Sequence, residues 1–175
     1  MPFPIEIDIW QGDIADLEVD AIVVPANESL FMTSGVAAAV KRRAGDEVER
    51  DAVAQGPVVP GRVVVTSGGH LAAPWLMHAV AVGHDLRADP AQLEAALEAT
   101  FEAAEAMELK RLALAPLGIE RGVFAPADAA LLMLGAIAAR SGRPGAPTSI
   151  VIAVTSSSDG AAYANALETI RTTAP

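Results

Sequence analysis

Gly12-Asp13-Ile14, followed by Asp20-Ala21-Ile22-Val23-Val24-Pro25-Ala26-Asn27, is the stretch whose reading decides the fold of this chain. Residues 20–24 form a short, nearly continuous apolar run, as in a strand covered on both faces of a sheet. The run ends on a polar Asn, and a turn leading into a helix follows. In an open α/β sheet, ligands bind in the crevice beyond the carboxyl ends of such strands. An Asn in that place is held by a rigid frame yet faces open space. Pro25 has no N–H to give and is expected to stop the ladder there.

Working outward, residues 5–10 alternate apolar and polar, as a half-buried edge strand does. Residues 1–4 read as a loose terminus. Ser34 is expected to cap a helix over 35–43 that Gly45 ends. Asp46 is expected to cap a second helix over 47–55. Strands follow at 63–66, broken by Ser67-Gly68-Gly69, and at 75–82. Asp89-Pro90 opens the best-defined helix, with Asp as N-cap and Pro at the first helical position. Leu93, Leu97, Thr100, Phe101, Ala104 and Met107 then keep helical spacing. A strand is expected at 111–116, and Pro126 starts a helix with Leu131, Leu134 and Ile137 on one face. Residues 141–147 are a turn-rich linker, too short to separate a pair of domains. A strand at 149–154 and a helix at 159–170, capped from 155–158, complete the chain. Strands alternate with helices, and one pair of strands is consecutive. The expected fold class is therefore α/β: a three-layer α/β/α sandwich with a mixed, mainly parallel central sheet, in a single domain over 1–175.

Composition narrows the function classes. Hydrophobic residues make up 52% and charged residues 19%, so the chain is a packed globular one. It has no cysteine, which removes disulfides, thiolate nucleophiles and Cys-based metal sites. Three scattered histidines make a poor metal site, and none is expected. The formal net charge of −10 argues against nucleic acid as a partner, because phosphate would be repelled over the whole surface. No apolar run reaches the roughly 18 residues of a membrane span, so no membrane partner is expected. A cytoplasmic location fits these features. The oligomeric state is not readable.

In order and spacing, several segments resemble a macrodomain, the ADP-ribose-binding α/β/α module. They are Gly12-Asp13-Ile14; Asp20 to Val23 with Ala26-Asn27; Gly35-Val36-Ala37 leading to Arg43-Ala44-Gly45; Gly61 to Gly69; Met77-His78-Ala79; and the Leu117-Gly118 loop ending at Pro126. The resemblance covers nearly the whole chain. It implies that Asp13 receives the adenine amino group and that Ile14 lies against the ring. It implies that Asn27 contacts the distal ribose. The loop 31–37, with Ser34, Gly35 and Val36, would wrap the ribose and a phosphate with backbone N–H groups. The loop 118–124, with Gly118, Ile119, Arg121, Gly122 and Phe124, would close over the diphosphate. A pyrophosphate wants several N–H donors near a helix N-terminus, with small residues that allow close approach. No cofactor beyond such a ligand is implied.

The chain departs from the family pattern at informative places. Val24-Pro25-Ala26-Asn27 stands where the family reads Asn-Ala-Ala-Asn, and residues 31–35 offer one glycine where two or three are usual. Ala37 stands where members that remove ADP-ribose from proteins often carry an Asp. The second loop reads Gly118-Ile119-Glu120-Arg121-Gly122-Val123-Phe124 instead of a Gly-Thr-Gly or Gly-Ile-Gly turn. Glu120 would bring a negative charge near the expected diphosphate. Two such charges about 5 Å apart repel by roughly 0.8 kcal/mol in water and about 3 kcal/mol at an effective dielectric of 20. Arg121 could offset that or clasp a phosphate itself.

Each residue also has a simpler role open to it. Asp13 could only cap the turn beginning Ile14-Ala15-Asp16, and Asn27 could only hold its own loop. Phe124 either covers a sugar or anchors its loop in the core. His78 reads as a core histidine, His84-Asp85 as a pair near the site rim, and Trp10 and Trp75 as packing. Three functions follow. The first is a module binding ADP-ribose or a related nucleotide metabolite. The second is an ADP-ribosyl hydrolase in which Asn27 aligns water or Glu120 acts as base, with Glu28 as the other carboxylate nearby. The third is a scaffold whose cleft is filled by Phe31, Met32 and Phe124.

Overall fold

A computed structural model describes residues 4–173. The loose terminus expected at 1–4 lies, but for Pro4, outside them. Six strands form one sheet: β1 (Glu6–Gln11), β2 (Ala21–Ala26), β3 (Arg62–Ser67), β4 (Trp75–Val80), β5 (Arg111–Leu114) and β6 (Ser149–Val154). Their order across the sheet is β1-β6-β5-β2-β4-β3. All neighbours are parallel except β3 and β4, which pair antiparallel as consecutive strands. The sheet is thus mixed and mainly parallel, with β1 at one edge as its alternation implies.

Five helices cover it: α1 (Gly35–Ala44), α2 (Glu47–Ala54), α3 (Pro90–Ala106), α4 (Pro126–Arg140) and α5 (Ser157–Thr173). Successive side chains of β2 point to opposite faces. Ala21 and Val23 therefore join one core with α3, α4 and α5, while Ile22 and Val24 join a second core with α1 and α2. Both faces of the central strands are buried, which is why residues 21–24 read as an unbroken apolar run. The α/β/α sandwich follows from this division. No described helix is long and apolar enough to cross a membrane.

Several local expectations need correction. Pro25 stops one ladder and not the other: β2 pairs with β5 only as far as Val23, while Pro25 and Ala26 go on to pair with Ala79 and Val80 of β4. The carbonyl of Val23 faces β5, where it accepts from the Ala115 N–H. Two residues on, Pro25 faces the same way with no N–H to give the Ala115 carbonyl, and the ladder between β2 and β5 ends there. Asp46 sits at the start of α2 with helical backbone angles and makes no capping bond. Leu131 is 41% exposed, and the buried stripe of α4 runs through Ala130, Met133, Leu134 and Ile137. Residues 131, 134 and 137 are spaced by three, so they drift round a helix of 3.6 residues per turn. By contrast, Asp89 caps α3 as expected, accepting from the Ala91 N–H at 3.0 Å, and Ser156 accepts from the Asp159 N–H at 3.1 Å. The last helix begins two residues before the expected 159.

Candidate functional site

The strands β1, β6, β5, β2 and β4 end on one side of the sheet, and a cleft opens there. It has two cavities that share Val36, the second residue of α1. The first, about 530 Å³, is lined by Gln11 to Ile14 after β1, by Val36 and Ala39 of α1, and by Thr155 after β6. The second, about 400 Å³, lies between the β2–α1 loop, the segment after β4, and the loop that follows β5.

Asp13 stands at the mouth of the first cavity and divides its oxygens. Its Oδ1 accepts from the Ala15 N–H at 2.9 Å and caps the 3-10 turn Ile14–Asp16. Its Oδ2 accepts from Arg43 at 3.1 Å, and the same guanidinium reaches Asp16 at 2.8 Å. The Arg43 pair is half-exposed, so solvent screens it and it holds only weakly. A ligand N–H can replace the guanidinium at small cost. Ile14 is buried and forms the floor. Gly12 is required beside it, because the Trp10 ring fills the space a side chain there would need.

In the second cavity, Asn27 holds its own loop. Its Oδ1 accepts from the N–H and hydroxyl of Ser29 at 3.1 and 2.9 Å, and its Nδ2 donates to the Phe31 carbonyl at 3.4 Å. The amide still lines the cavity. The loop is pinned from below: Glu49 of α2 accepts from the Met32 N–H at 2.6 Å and from Lys41 at 3.1 Å. Met32 is buried in the α1–α2 core, whereas Phe31 is 51% exposed at the cavity edge. Ser34 occupies the N-cap position of α1 without a side-chain capping bond. Gly35 follows at φ +58°, with open space around it. The first N–H groups of α1 are therefore free to meet an acceptor in the cleft.

The loop after β5 supplies the other wall. Gly118 has φ +80°, and a Cβ there would stand 2.9 Å from the Phe124 ring. The Phe124 N–H closes the loop on the Gly118 carbonyl at 2.9 Å. Phe124 is buried in the core, so it holds the loop from behind. Gly118, Ile119, Gly122 and Phe124 do not line either cavity; Glu120 and Arg121 do. Glu120 is turned inward, and its Oε2 is buried without a hydrogen-bond partner. Burial pushes its carboxyl above the usual range, and backbone N–H groups of Glu120 and Gly118 partly offset this. Arg121 is exposed, with φ +52°.

Both cavities are open, with Phe31 at the rim and Met32 and Phe124 in the cores; the filled cleft of the scaffold reading is not what the structure holds. The His84-Asp85 pair is also corrected. His84 lies 3.7 Å from Glu28, which approaches across the bare backbone of Gly83, while Asp85 faces Arg87 at 3.7 Å. His78 is a core residue of β4, bonded to Thr66 at 3.0 Å and distant from the cleft lining. Sequence reasoning placed His84 at the rim but missed Val82 and Leu86, which make a wall of the second cavity with it. The rule that placed the cleft beyond β2 finds that wall once the strand order is known, because this segment leaves the carboxyl end of β4, the strand beside β2.

Comparison with known proteins gives a consistent result. A family profile described as Macro domain matches residues 23–133. An uncharacterised protein of Mycobacterium tuberculosis is 34% identical over 164 residues, covering 94% of this chain and 45% of its own length. The chain thus spans about half the length of that relative. An uncharacterised protein of Pyrobaculum aerophilum is 37% identical over 132 residues, covering 72% of this chain and 70% of its own. Among solved structures, a mutant Oceanobacillus iheyensis macrodomain with ADPR superposes with a TM-score of 0.84 at 22% identity, over 94% of this chain and 92% of that one. The Trypanosoma brucei macrodomain in complex with ADP-ribose gives 0.83 at 23% identity, over 91% and 68%. At such identity the superpositions speak for the fold.

Proposed function

The chain belongs to the Macro domain family, and on that premise we propose that residues 4–173 act as one module whose cleft binds ADP-ribose or a related adenine nucleotide metabolite. The observation that carries the reading is the pair of cavities joined at Val36. The first offers Asp13 Oδ2 above an apolar floor, as an adenine amino group and ring require. The second offers the uncapped start of α1, where backbone N–H groups favour phosphate oxygens, and Asn27 beyond it for a ribose. Ser34, Gly35 and Val36 would contribute backbone donors, and Gly118, Ile119, Gly122 and Phe124 would shape the opposite loop. A cysteine-free chain suits a reducing cytoplasm, which is the compartment we assign. The relatives' longer chains leave the activity of the whole protein open to further modules.

Thermal unfolding tests this reading. At a ligand concentration of about 100 times Kd, binding stabilises the native state by roughly 2.7 kcal/mol, which raises Tm. ADP-ribose is expected to raise Tm more than AMP, and AMP more than adenosine. Identical Tm values with and without saturating ADP-ribose would contradict it.

Glu120 favours a second reading. A buried carboxyl with a raised pKa beside Asn27 is equipped to accept a proton from water at a ribose carbon. A hydrolase of this kind would release free ADP-ribose from a modified protein and lose that activity in Glu120→Gln.

A further inference from the structure

We propose that Glu120 is a specificity-determining residue that sorts ligands by charge: on its own wall of the second cavity, across from the start of α1, it weakens the hold on a diphosphate and favours an uncharged, hydroxyl-bearing group. The inference rests on the ligand reading above and sharpens it.

The geometry carries it. Glu120 lies in the wall of the second cavity only, and the first cavity has no share of it. A ligand that fills the first cavity with its base and sugar must pass Val36 before it meets the carboxylate. Its Oε2 is buried and has no donor from the described residues. Turned toward the cavity, such an acceptor is satisfied by an O–H or N–H of a ligand. A sugar hydroxyl supplies one. A diphosphate supplies only acceptors and adds negative charge at short range.

The neighbouring charges do not cancel this. Arg121 is on the same turn but is exposed and makes no ion pair with a described residue, so solvent screens it. His84, on the segment after β4, shares the cavity but is engaged by Glu28 at 3.7 Å. Behind the loop, Tyr163 of α5 lies within electrostatic reach of both Asp159 and Glu120. The first turn of α1 carries no acidic or basic side chain, and that of α4 carries the exposed Asp128. Apart from the backbone N–H groups of Glu120 and Gly118, nothing among the described residues is paired with the buried carboxylate to offset its charge. A diphosphate therefore enters this cavity together with a proton on Glu120, and binding weakens as pH rises. The upward push that burial gives the Glu120 carboxyl is in the direction this requires.

Titration calorimetry with ADP-ribose and with adenosine tests the assignment. The proteins are the unaltered chain, Glu120→Gln and Arg121→Ala, each at about pH 5.5 and about pH 8, a span that brackets a raised carboxyl. The unaltered chain should bind ADP-ribose about tenfold more weakly at the higher pH, a factor equal to one unit of pKa coupling. Glu120→Gln should bind it about tenfold more tightly than the unaltered chain at the higher pH and lose the pH dependence. Adenosine should be indifferent to pH and to both substitutions. Arg121→Ala should weaken ADP-ribose less than Glu120→Gln strengthens it. Equal ADP-ribose affinity in the unaltered chain and Glu120→Gln overturns the assignment while leaving the ligand reading in place. So does a pH dependence that persists in Glu120→Gln. Absence of binding by both ligands in all three proteins overturns the ligand reading, and this inference with it.

Discussion

Asp13 uses its two oxygens for different tasks, and that division predicts how its removal will behave. The capping oxygen holds a single 3-10 turn, and losing an N-cap costs about 1 kcal/mol. The outward oxygen is the one a ligand can reach. Asp13→Ala is expected to lower ADP-ribose affinity about tenfold or more, as loss of a charge-assisted hydrogen bond does, with only a small fall in Tm. Calorimetry with parallel thermal unfolding checks it; a large Tm loss with unchanged affinity would assign Asp13 to capping alone. At this scale the positions of Asp13, Asn27 and the start of α1 are legible in the sequence, because the alternation of β1 marks the strand end before Asp13 and the apolar run of β2 marks the one before the others. The inward turn of Glu120 is not. It depends on positive φ values at Gly118, Arg121 and Gly122, and no pattern in the sequence fixes the φ of an arginine.

Among the elements, the loop after β5 positions the second wall, and its construction is testable apart from any ligand. Gly118 combines φ +80° with a Cβ position 2.9 Å from the Phe124 ring. Gly122 has φ +72° but nothing within 4 Å. Gly118→Ala should destabilise the protein by about 1–3 kcal/mol, since it adds overpacking to backbone strain. Gly122→Ala should cost about 1 kcal/mol from backbone strain alone. Urea unfolding separates them; equal midpoints would mean that Phe124 yields freely and does not anchor the loop. Element types are readable because burial sets the pattern: apolar runs for doubly covered strands, helical spacing for α3. Errors arise where residue type is considered without direction. Reading Pro25 as a stop holds for β5, the neighbour its N–H would face, and not for β4, and intervals of three carry Leu131 into a stripe that the helix turns away from.

Across the whole molecule, stability should depend on pH through the sheet. His78 is buried in β4, where burial lowers its pKa to about 4 from an ordinary 6.5. The folded state holds this proton less tightly than the unfolded chain. Stability is therefore complete above about pH 6.5 and is lost as pH falls toward 4, by up to roughly 3 kcal/mol. His78→Gln should flatten that range of the urea-unfolding profile, whatever its stability at neutral pH; an unchanged slope would place the acid sensitivity elsewhere. The α/β/α architecture is legible from strand–helix alternation and two-faced burial. The cleft's far wall is not, because it depends on which strands lie side by side, and the order β5-β2-β4 is not a sequential one.

The central claim is that the joined cavities form an adenine-nucleotide site with Asp13 at one end. Titration calorimetry of the unaltered chain and Asp13→Ala with ADP-ribose, near pH 6, tests it most directly. The account predicts one-site binding at about micromolar Kd for the unaltered chain, weakened about tenfold or more in Asp13→Ala. No binding at millimolar ADP-ribose, or equal binding by both proteins, would contradict it.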